Sequence, residues 1–341
     1  MFFQNLDKVF IIAELSANHN GSLENALATV KAAKRAGADA IKLQTYTADT
    51  ITLNCSLDDF KLKQGTIWDG KFLHELYLEA YTPWEWHRAI FDAAKDEGLI
   101  CFSSPFDFSS VDFLETLNTP IYKIASFEIT DIPLIKYVAQ KGKPIIISTG
   151  IAEEEDIQLA VDTCRSAGNN QIALLKCTSS YPSPIEEANL IMINDIAKKF
   201  NVIAGLSDHT LGITAPVVAT ALGARIIEKH FIIDRSIGGP DATFSLNENE
   251  FTDMVKFVRE AEKAIGVINY QLTSKQKKGR EFSRSLYVSK DVKEGDVITP
   301  ENIRSVRPGF GMHPKFYKQV LGKNFSKSAV KGTRLTFDII K

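Results

Sequence analysis

Ile226-Ile227-Glu228-Lys229-His230-Phe231 begins as an apolar strand, after the turn Leu222-Gly223-Ala224, and ends in three ionisable residues. Packing gives a β-branched core strand no reason to finish that way, because a buried charge without a partner is costly. The same pattern stands one strand earlier, where Val202-Ile203-Ala204-Gly205-Leu206 runs into Ser207-Asp208-His209. Neighbouring strands lie roughly 4.8 Å apart, so two such ends present two imidazoles at one rim. The rest of the chain reads as a scaffold that brings further polar strand ends to that rim.

Outward from this stretch, apolar runs predict strands at 10–16, 40–45, 100–105, 121–126, 144–150 and 172–178. Helical patterns lie between and after them, at 23–36, 72–81, 83–98, 111–117, 132–140, 153–167, 188–200, 214–222 and 248–265. Residues 47–71 read as a long loop, and a loop of that length in a compact domain is usually functional. Strand and helix alternate about eight times, which is the rhythm of a closed (β/α)8 TIM barrel. An open doubly wound sheet is the alternative, but no GxGxxG follows a strand. In a barrel all the polar strand ends face one rim. The predicted organisation is a barrel domain at 1–270, a Lys-, Ser- and Arg-rich linker at 271–284, and a small domain of short elements at 285–341. That small domain is poorly self-sufficient and is expected to dock on a barrel.

Of 341 residues, 44% are hydrophobic and 24% charged, ordinary values for a globular enzyme. The net charge of −2 implies neither a nucleic-acid nor an anionic-membrane partner. No apolar run has the length of a membrane span, and the short run 9–13 meets Glu14 without the features of a signal peptide. The four cysteines lack CxxC spacing, so free thiols and a cytoplasmic location are expected.

His209 and His230 form a candidate metal pair. Two imidazoles with no thiolate and several open positions favour a Lewis-acid ion, Mn²⁺ before Mg²⁺ or Co²⁺, over structural zinc. Lys42 and Lys123 interrupt apolar strands, and an ammonium inside a barrel needs an anionic partner. Glu14 or Glu128 could be that partner; so could a bound phosphate or carboxylate. The second reading gains from Ser104, Ser126, Ser148, Ser179 and Ser207, which together resemble a phosphate cradle at the same rim. A Schiff-base lysine is a third reading. Glu14, Glu128 and Asp241 are candidates for proton transfer or for sugar hydroxyls. The aromatic stripe Trp68, Tyr77, Tyr81, Trp84 and Trp86 reads as helix packing before it reads as a sugar platform.

Taken in order, these segments resemble the sialic acid synthases, the phosphoenolpyruvate-dependent nonulosonate synthases. The resemblance is carried by Ala13-Glu14, Lys42-Leu43-Gln44, Phe102-Ser103-Ser104-Pro105-Phe106, Tyr122-Lys123-Ile124-Ala125-Ser126-Phe127-Glu128 and Ile147-Ser148-Thr149-Gly150. It continues through Cys177-Thr178-Ser179-Ser180-Tyr181-Pro182, Gly205-Leu206-Ser207-Asp208-His209-Thr210, Glu228-Lys229-His230-Phe231 and Gly239-Pro240-Asp241. The tail, with Lys293-Glu294-Gly295 and Arg307-Pro308-Gly309, resembles the family's antifreeze-like (SAF) domain. Within the family, Gly65-Thr66-Ile67-Trp68-Asp69-Gly70-Lys71 and the segment 79–87 look most like the branch that makes pseudaminic acid. That branch condenses phosphoenolpyruvate with 2,4-diacetamido-2,4,6-trideoxy-altrose.

The resemblance implies that His209 and His230 hold the metal. It implies that Lys42, Ser104, Lys123, Ser126, Ser148, Ser179 and Ser207 bind phosphoenolpyruvate, and that Glu14, Gln44, Tyr181 and Asp241 face the amino-sugar aldehyde. It implies a domain-swapped homodimer in which Arg307 reaches a partner's barrel. Some relatives carry Asn where Ser179 stands. Glu14 and Glu128 both remain open as the proton-transferring group. Within the family, an N-acetylneuraminate or legionaminate synthase using N-acetylmannosamine or a 2,4-diacetamido sugar is the alternative, and two rival functions also stand at this point: a class I aldolase with a lysine imine, and a non-catalytic carbohydrate- or ice-binding protein using the C-terminal module.

Overall fold

The computed structural model describes residues 2–63, 65 and 68–341. Thr66 and Ile67, part of the loop motif above, lie outside the described residues. Eight parallel strands close into a barrel in sequence order. They are β1 (Phe10–Glu14), β2 (Ala40–Thr45), β3 (Ile100–Pro105), β4 (Tyr122–Ile124), β5 (Ile145–Ser148), β6 (Ile172–Cys177), β7 (Ile203–Asp208) and β8 (Ile226–His230). The barrel closes by pairing β1 with β8, which sets Ile12 beside Glu228 and Glu14 beside His230.

Side chains of a strand alternate between faces, and here the alternation sorts each strand into two cores. Outward residues such as Ile11, Ala13, Ile41, Leu43, Ile147 and Ile227 pack with the surrounding helices. Inward residues Phe10, Ile12, Ala40, Phe102, Ile146, Ala173, Leu175 and Ile226 fill the barrel floor. One residue pair further along the strands, the inward positions turn polar: Glu14, Lys42, Ser104, Ser148 and Glu228, all buried. The floor is a dry plug, and the polar layer stands on it at the carboxyl ends of the strands, where barrel active sites sit. Gly205 belongs to the floor. A Cβ there would come 2.3 Å from Ile226 O and 2.8 Å from Leu175 Cδ2, so β7 approaches its neighbours closely only without a side chain.

Several expected elements differ. Strand β4 ends at Ile124, and Ser126–Glu128 form a 3-10 turn. Ser126 Oγ accepts the Gly150 N–H at 3.2 Å, so its side chain turns toward the loop after β5 instead of extending the strand. The stretch 47–71 contains the helix Ala48–Ile51, capped reciprocally by Thr47 and Thr50, and a 3-10 turn Asp58–Phe60. The third-strand helix starts earlier than expected, at Phe108–Thr116, because Asp107 accepts the Ser109 and Ser110 N–H groups as its cap. The helix after β6 starts later, at Met192–Phe200, behind a 3-10 turn Ile185–Glu187.

The chain divides into two compact units, Met1–Gly266 and Val267–Lys341. In the second, Ser274–Gly279 is a short exposed helix within the stretch expected as a structureless linker, capped by Thr273 and Gln276. Strands β9 (Ser285–Val288) and β10 (Ile303–Val306) pair antiparallel. A turn at 300–302 leads into β10. Leu286, Val288, Ile303, Phe325 and Leu335 centre a separate small core. No helix among the described residues is long and apolar enough to cross a membrane.

Candidate active site

The polar layer begins where β8, β1 and β2 lie side by side. Lys42 Nζ is 2.8 Å from Glu14 Oε2 and 3.4 Å from Glu228 Oε1, and it donates to Ser104 Oγ at 3.4 Å. Lys42 is therefore neutralised inside the protein, by Glu14 as one reading allowed and by Glu228, which that reading did not name. Gln44 Nε2 donates to Glu14 Oε1 at 2.9 Å and to Ser16 Oγ at 3.0 Å. Burial raises the Glu14 carboxyl, with Lys42 opposing. Glu228 is held below its ordinary range against burial, by Lys42 and then Lys123. Ser207 Oγ donates to Glu228 Oε1 at 3.1 Å, so its hydroxyl is aimed at a carboxylate and not at a lysine.

Lys123 differs from Lys42. Its Nζ donates to Ser148 Oγ at 2.6 Å and to its neighbour's carbonyl, Ile124 O, at 2.9 Å. Among the described residues no carboxylate lies within ion-pair distance, and burial pushes the ammonium below its ordinary pKa. A buried ammonium with only neutral acceptors is suited to receive an anion. At Gly150 side chains crowd a bare backbone position: a Cβ there would lie 2.1 Å from Ser179 Oγ, 2.7 Å from Ser126 Oγ and 3.1 Å from Cys177 Sγ. Two of the predicted serines thus converge on one bare backbone position, and Ser148 joins them through Lys123.

The two imidazoles meet as well. The rings of His209 and His230 stand 5.3 Å apart, centroid to centroid. His209 Nδ1 donates to Thr178 O at 3.0 Å, which leaves Nε2 as the nitrogen for a metal; against burial, Cys177 and the Thr178 carbonyl raise this ring's pKa. His230 Nδ1 is buried without a hydrogen-bond partner, 3.7 Å from Asp241 Oδ2. Burial and the neighbouring His209 keep His230 neutral, well below its ordinary pKa. Two imidazoles side by side, one with an orphaned nitrogen, fit a divalent ion. Among the described residues no group of three or more His, Cys, Asp or Glu is gathered for a metal, so the remaining shell of such an ion would be open.

Around this pair stand aromatic rings. Tyr181 lies 4.3 Å from His209, Phe244 5.0 Å from His230, and Trp68 5.8 Å from Tyr181. Of the aromatic stripe only Trp68 comes here; Trp84 stacks on Phe113, Trp86 meets His19 and Tyr77 meets Tyr46. Asp241 is buried, and the Ala17 N–H reaches its Oδ2 at 3.4 Å. Glu128 sits on the 3-10 turn after β4, its Oε2 buried and unpartnered, and burial raises its carboxyl to about 7 with Lys123 opposing. Arg307 belongs to the C-terminal unit, in the loop after β10.

Residues 29–270 match the NeuB family and residues 283–339 the SAF domain. The chain belongs to the NeuB family. It is 52% identical to a pseudaminic acid synthase of Campylobacter jejuni, covering 98% of this chain and 97% of that one. It is 47% identical to the pseudaminic acid synthase of Helicobacter pylori, covering 97% of each chain. Among solved structures, the Bacillus subtilis spore coat polysaccharide biosynthesis protein spsE shares 34% identity, with 98% and 95% coverage and a TM-score of 0.66. The family relationship accounts for a barrel whose rim is polar on nearly every strand.

Some of the site escaped sequence reasoning. Cys177 lies inward at the end of β6, 3.7 Å from His209 Nδ1, and His209 and Lys123 bring its thiol down to about 7 against burial. The signal for Glu228 was present, since it shares a strand face with His230. What hid it was the closure of β8 on β1.

Proposed function

We propose that the chain is a pseudaminic acid synthase, condensing phosphoenolpyruvate with 2,4-diacetamido-2,4,6-trideoxy-L-altrose and releasing phosphate by C–O cleavage. The observation that carries the reading is Lys123: a buried ammonium without a carboxylate in ion-pair reach among the described residues, at the same rim as the paired imidazoles. The sugar is assigned from the relatives that cover nearly the whole chain.

Lys123, Ser148, Ser126 and Ser179 bind the phosphate and carboxylate of phosphoenolpyruvate, with Lys42 and Ser104 beside them. Gln44, Glu14, Tyr181 and Asp241 face the sugar. His209 and His230 hold a divalent ion, Mn²⁺ in preference to Mg²⁺ or Co²⁺; when bound it polarises the aldehyde of the open-chain sugar as a Lewis acid. The enol-ether C3 attacks the aldehyde carbon and forms the C–C bond. Water adds at C2 where positive charge develops, and phosphate leaves with the C2–O bond to give a 2-keto acid. The fixed ammonium of Lys123 stabilises the phosphate throughout, because it is held by Ser148 before substrate arrives. Glu128, unpartnered and titrating near neutrality, moves the proton of the new hydroxyl or of the water.

The protein works as a homodimer in which a partner's C-terminal unit covers the barrel mouth and delivers Arg307. Exposed apolar residues on successive rim loops support this: Leu53, Phe108, Phe127, Ile151, Ile191 and Leu211. Val267, Ile268 and Tyr270, at the start of the second unit, are also bare. Four free cysteines fit a cytoplasmic location.

Phosphate release from phosphoenolpyruvate, measured with each candidate sugar and with and without metal, tests the reading. Turnover should require metal and favour the trideoxy-altrose; a strong preference for N-acetylmannosamine overturns the sugar assignment. In ¹⁸O-labelled water the released phosphate should carry no label, and labelled phosphate refutes C–O cleavage.

A further inference from the structure

Asp208 and Lys229 are the ionisable residues of the two histidine-bearing strand ends that the chemistry above leaves unused. Alternation turns them outward: Asp208 stands between inward Ser207 and His209, and Lys229 between inward Glu228 and His230. They are register partners on β7 and β8. They are 3% and 1% exposed. Lys229 Nζ lies 2.5 Å from Asp208 Oδ2 and donates to Thr210 O at 2.6 Å. Asp208 Oδ1 accepts the Thr210 N–H at 3.0 Å. The pair therefore grips both backbone polar groups of Thr210, the residue that follows His209.

His209 is pinned on its other sides too. Its carbonyl accepts the Ser183 N–H at 2.9 Å, and its Nδ1 is committed to Thr178 O. A buried ion pair adds little net stability over an apolar pair of the same shape, so stability alone does not account for one at this place. Its bonds run to the backbone flanking one imidazole, and Lys229 directly precedes the other imidazole in the chain.

We propose that Asp208 and Lys229 are positioning residues for the metal-holding imidazoles: from the outer face of the sheet, the pair and its grip on Thr210 set the separation and orientation of His209 and His230. The proposal rests on the reading of His209 and His230 as the pair that holds a divalent ion. Without the grip, the main chain at Thr210, just beyond the end of the β7–β8 ladder, loses its side-chain tie to β8, and the two donors lose their fixed spacing. Outer partners that orient metal ligands typically cost 10–100-fold in metal affinity when removed.

The test is Mn²⁺ binding to the full chain, followed by the EPR signal of the free ion. The proteins compared are wild type, His230→Ala and the double variant Asp208→Asn/Lys229→Met, which removes both charges and leaves no lone buried ion. Wild type should bind Mn²⁺, His230→Ala should lose that binding, and the double variant should bind about tenfold more weakly or worse. Its kcat should recover at saturating Mn²⁺ while KM for phosphoenolpyruvate stays unchanged, a split that a general loss of stability does not produce. Wild-type Mn²⁺ affinity in the double variant, whatever its melting temperature, overturns the proposal. If the double variant is unfolded by circular dichroism, Lys229→Arg is read in its place. It keeps the charge but alters the bond to Thr210 O, so weaker Mn²⁺ binding supports the proposal and unchanged binding overturns it. Wild type without any His230-dependent Mn²⁺ binding refutes the metal reading itself, an outcome separate from a failed clamp.

Discussion

Lys123→Met separates anion binding from scaffolding. The Lys123 ammonium is buried, bonded to Ser148 Oγ and Ile124 O, and faces no carboxylate within ion-pair reach among the described residues. With a phosphate at about 4 Å and an effective dielectric of about 20, its attraction is roughly 4 kcal/mol. Losing it should lower kcat/KM for phosphoenolpyruvate about a thousandfold. Folding should respond in the opposite sense. Burial holds this ammonium below its ordinary pKa, which means the folded state disfavours the charge. A methionine of similar length removes the desolvated charge and costs two hydrogen bonds, about 1 kcal/mol each. The melting temperature at pH 7 should therefore hold or rise. Lys42→Met is the contrast, because it strands Glu14 and Glu228 as neighbouring buried carboxylates, a loss of about 3–5 kcal/mol. Phosphate-release kinetics and thermal melts of both variants check the argument. A Lys123→Met protein that melts as early as Lys42→Met, with kcat/KM within about tenfold of wild type, would show the lysine to be a strut and refute the reasoning.

The other predictions concern the bare backbone at Gly150, the unpartnered acid and the buried histidines. Gly150→Ala should raise KM for phosphoenolpyruvate strongly with little change in melting temperature, since its φ is not in the left-handed region and the atoms nearest the new methyl are the ends of short side chains, the Ser179 and Ser126 hydroxyls and the Cys177 sulfur; an unchanged KM would put the substrate elsewhere. The kcat–pH profile should carry a limb near pH 7 that disappears in Glu128→Gln, because burial raises that carboxyl to about 7; a limb that persists belongs to another group. His19 and His87 are held neutral by burial, with pKa values of about 4. Below the unfolded pKa of 6.5 the unfolded chain binds protons that the fold refuses, so stability should fall as pH drops from 6.5 toward 4, by up to about 3 kcal/mol for each ring. Denaturant melts of wild type against His87→Gln isolate that slope from the opposite contribution of Glu128, and equal slopes would remove His87 from the account.

Much of the barrel was legible because its information is local. Ile226-Ile227-Glu228-Lys229-His230 shows an apolar run turning polar, and period-two alternation already puts Glu228 with His230 and Lys42 with Gln44. Local bonding then shifted details: Ser126 left its strand for a 3-10 turn to meet the Gly150 N–H, and Asp107 started its helix early. Ser207, read beside the phosphate serines, gives its hydroxyl to Glu228.

The amino-acid order by itself determined which strand ends are polar and which of their residues share a face, since a pleated strand has only one repeat to obey. It also carried the family's ordered motifs from residue 13 to residue 309. Only the closed barrel decided the partners. Closing β8 on β1 set Glu228 next to Lys42 and so left Lys123, among the described residues, without a carboxylate within ion-pair reach. The register of β7 against β8 sent Asp208 and Lys229 outward together. Pairings between residues far apart in the chain depend on register and on ring closure, and neither leaves a mark in a single strand's sequence.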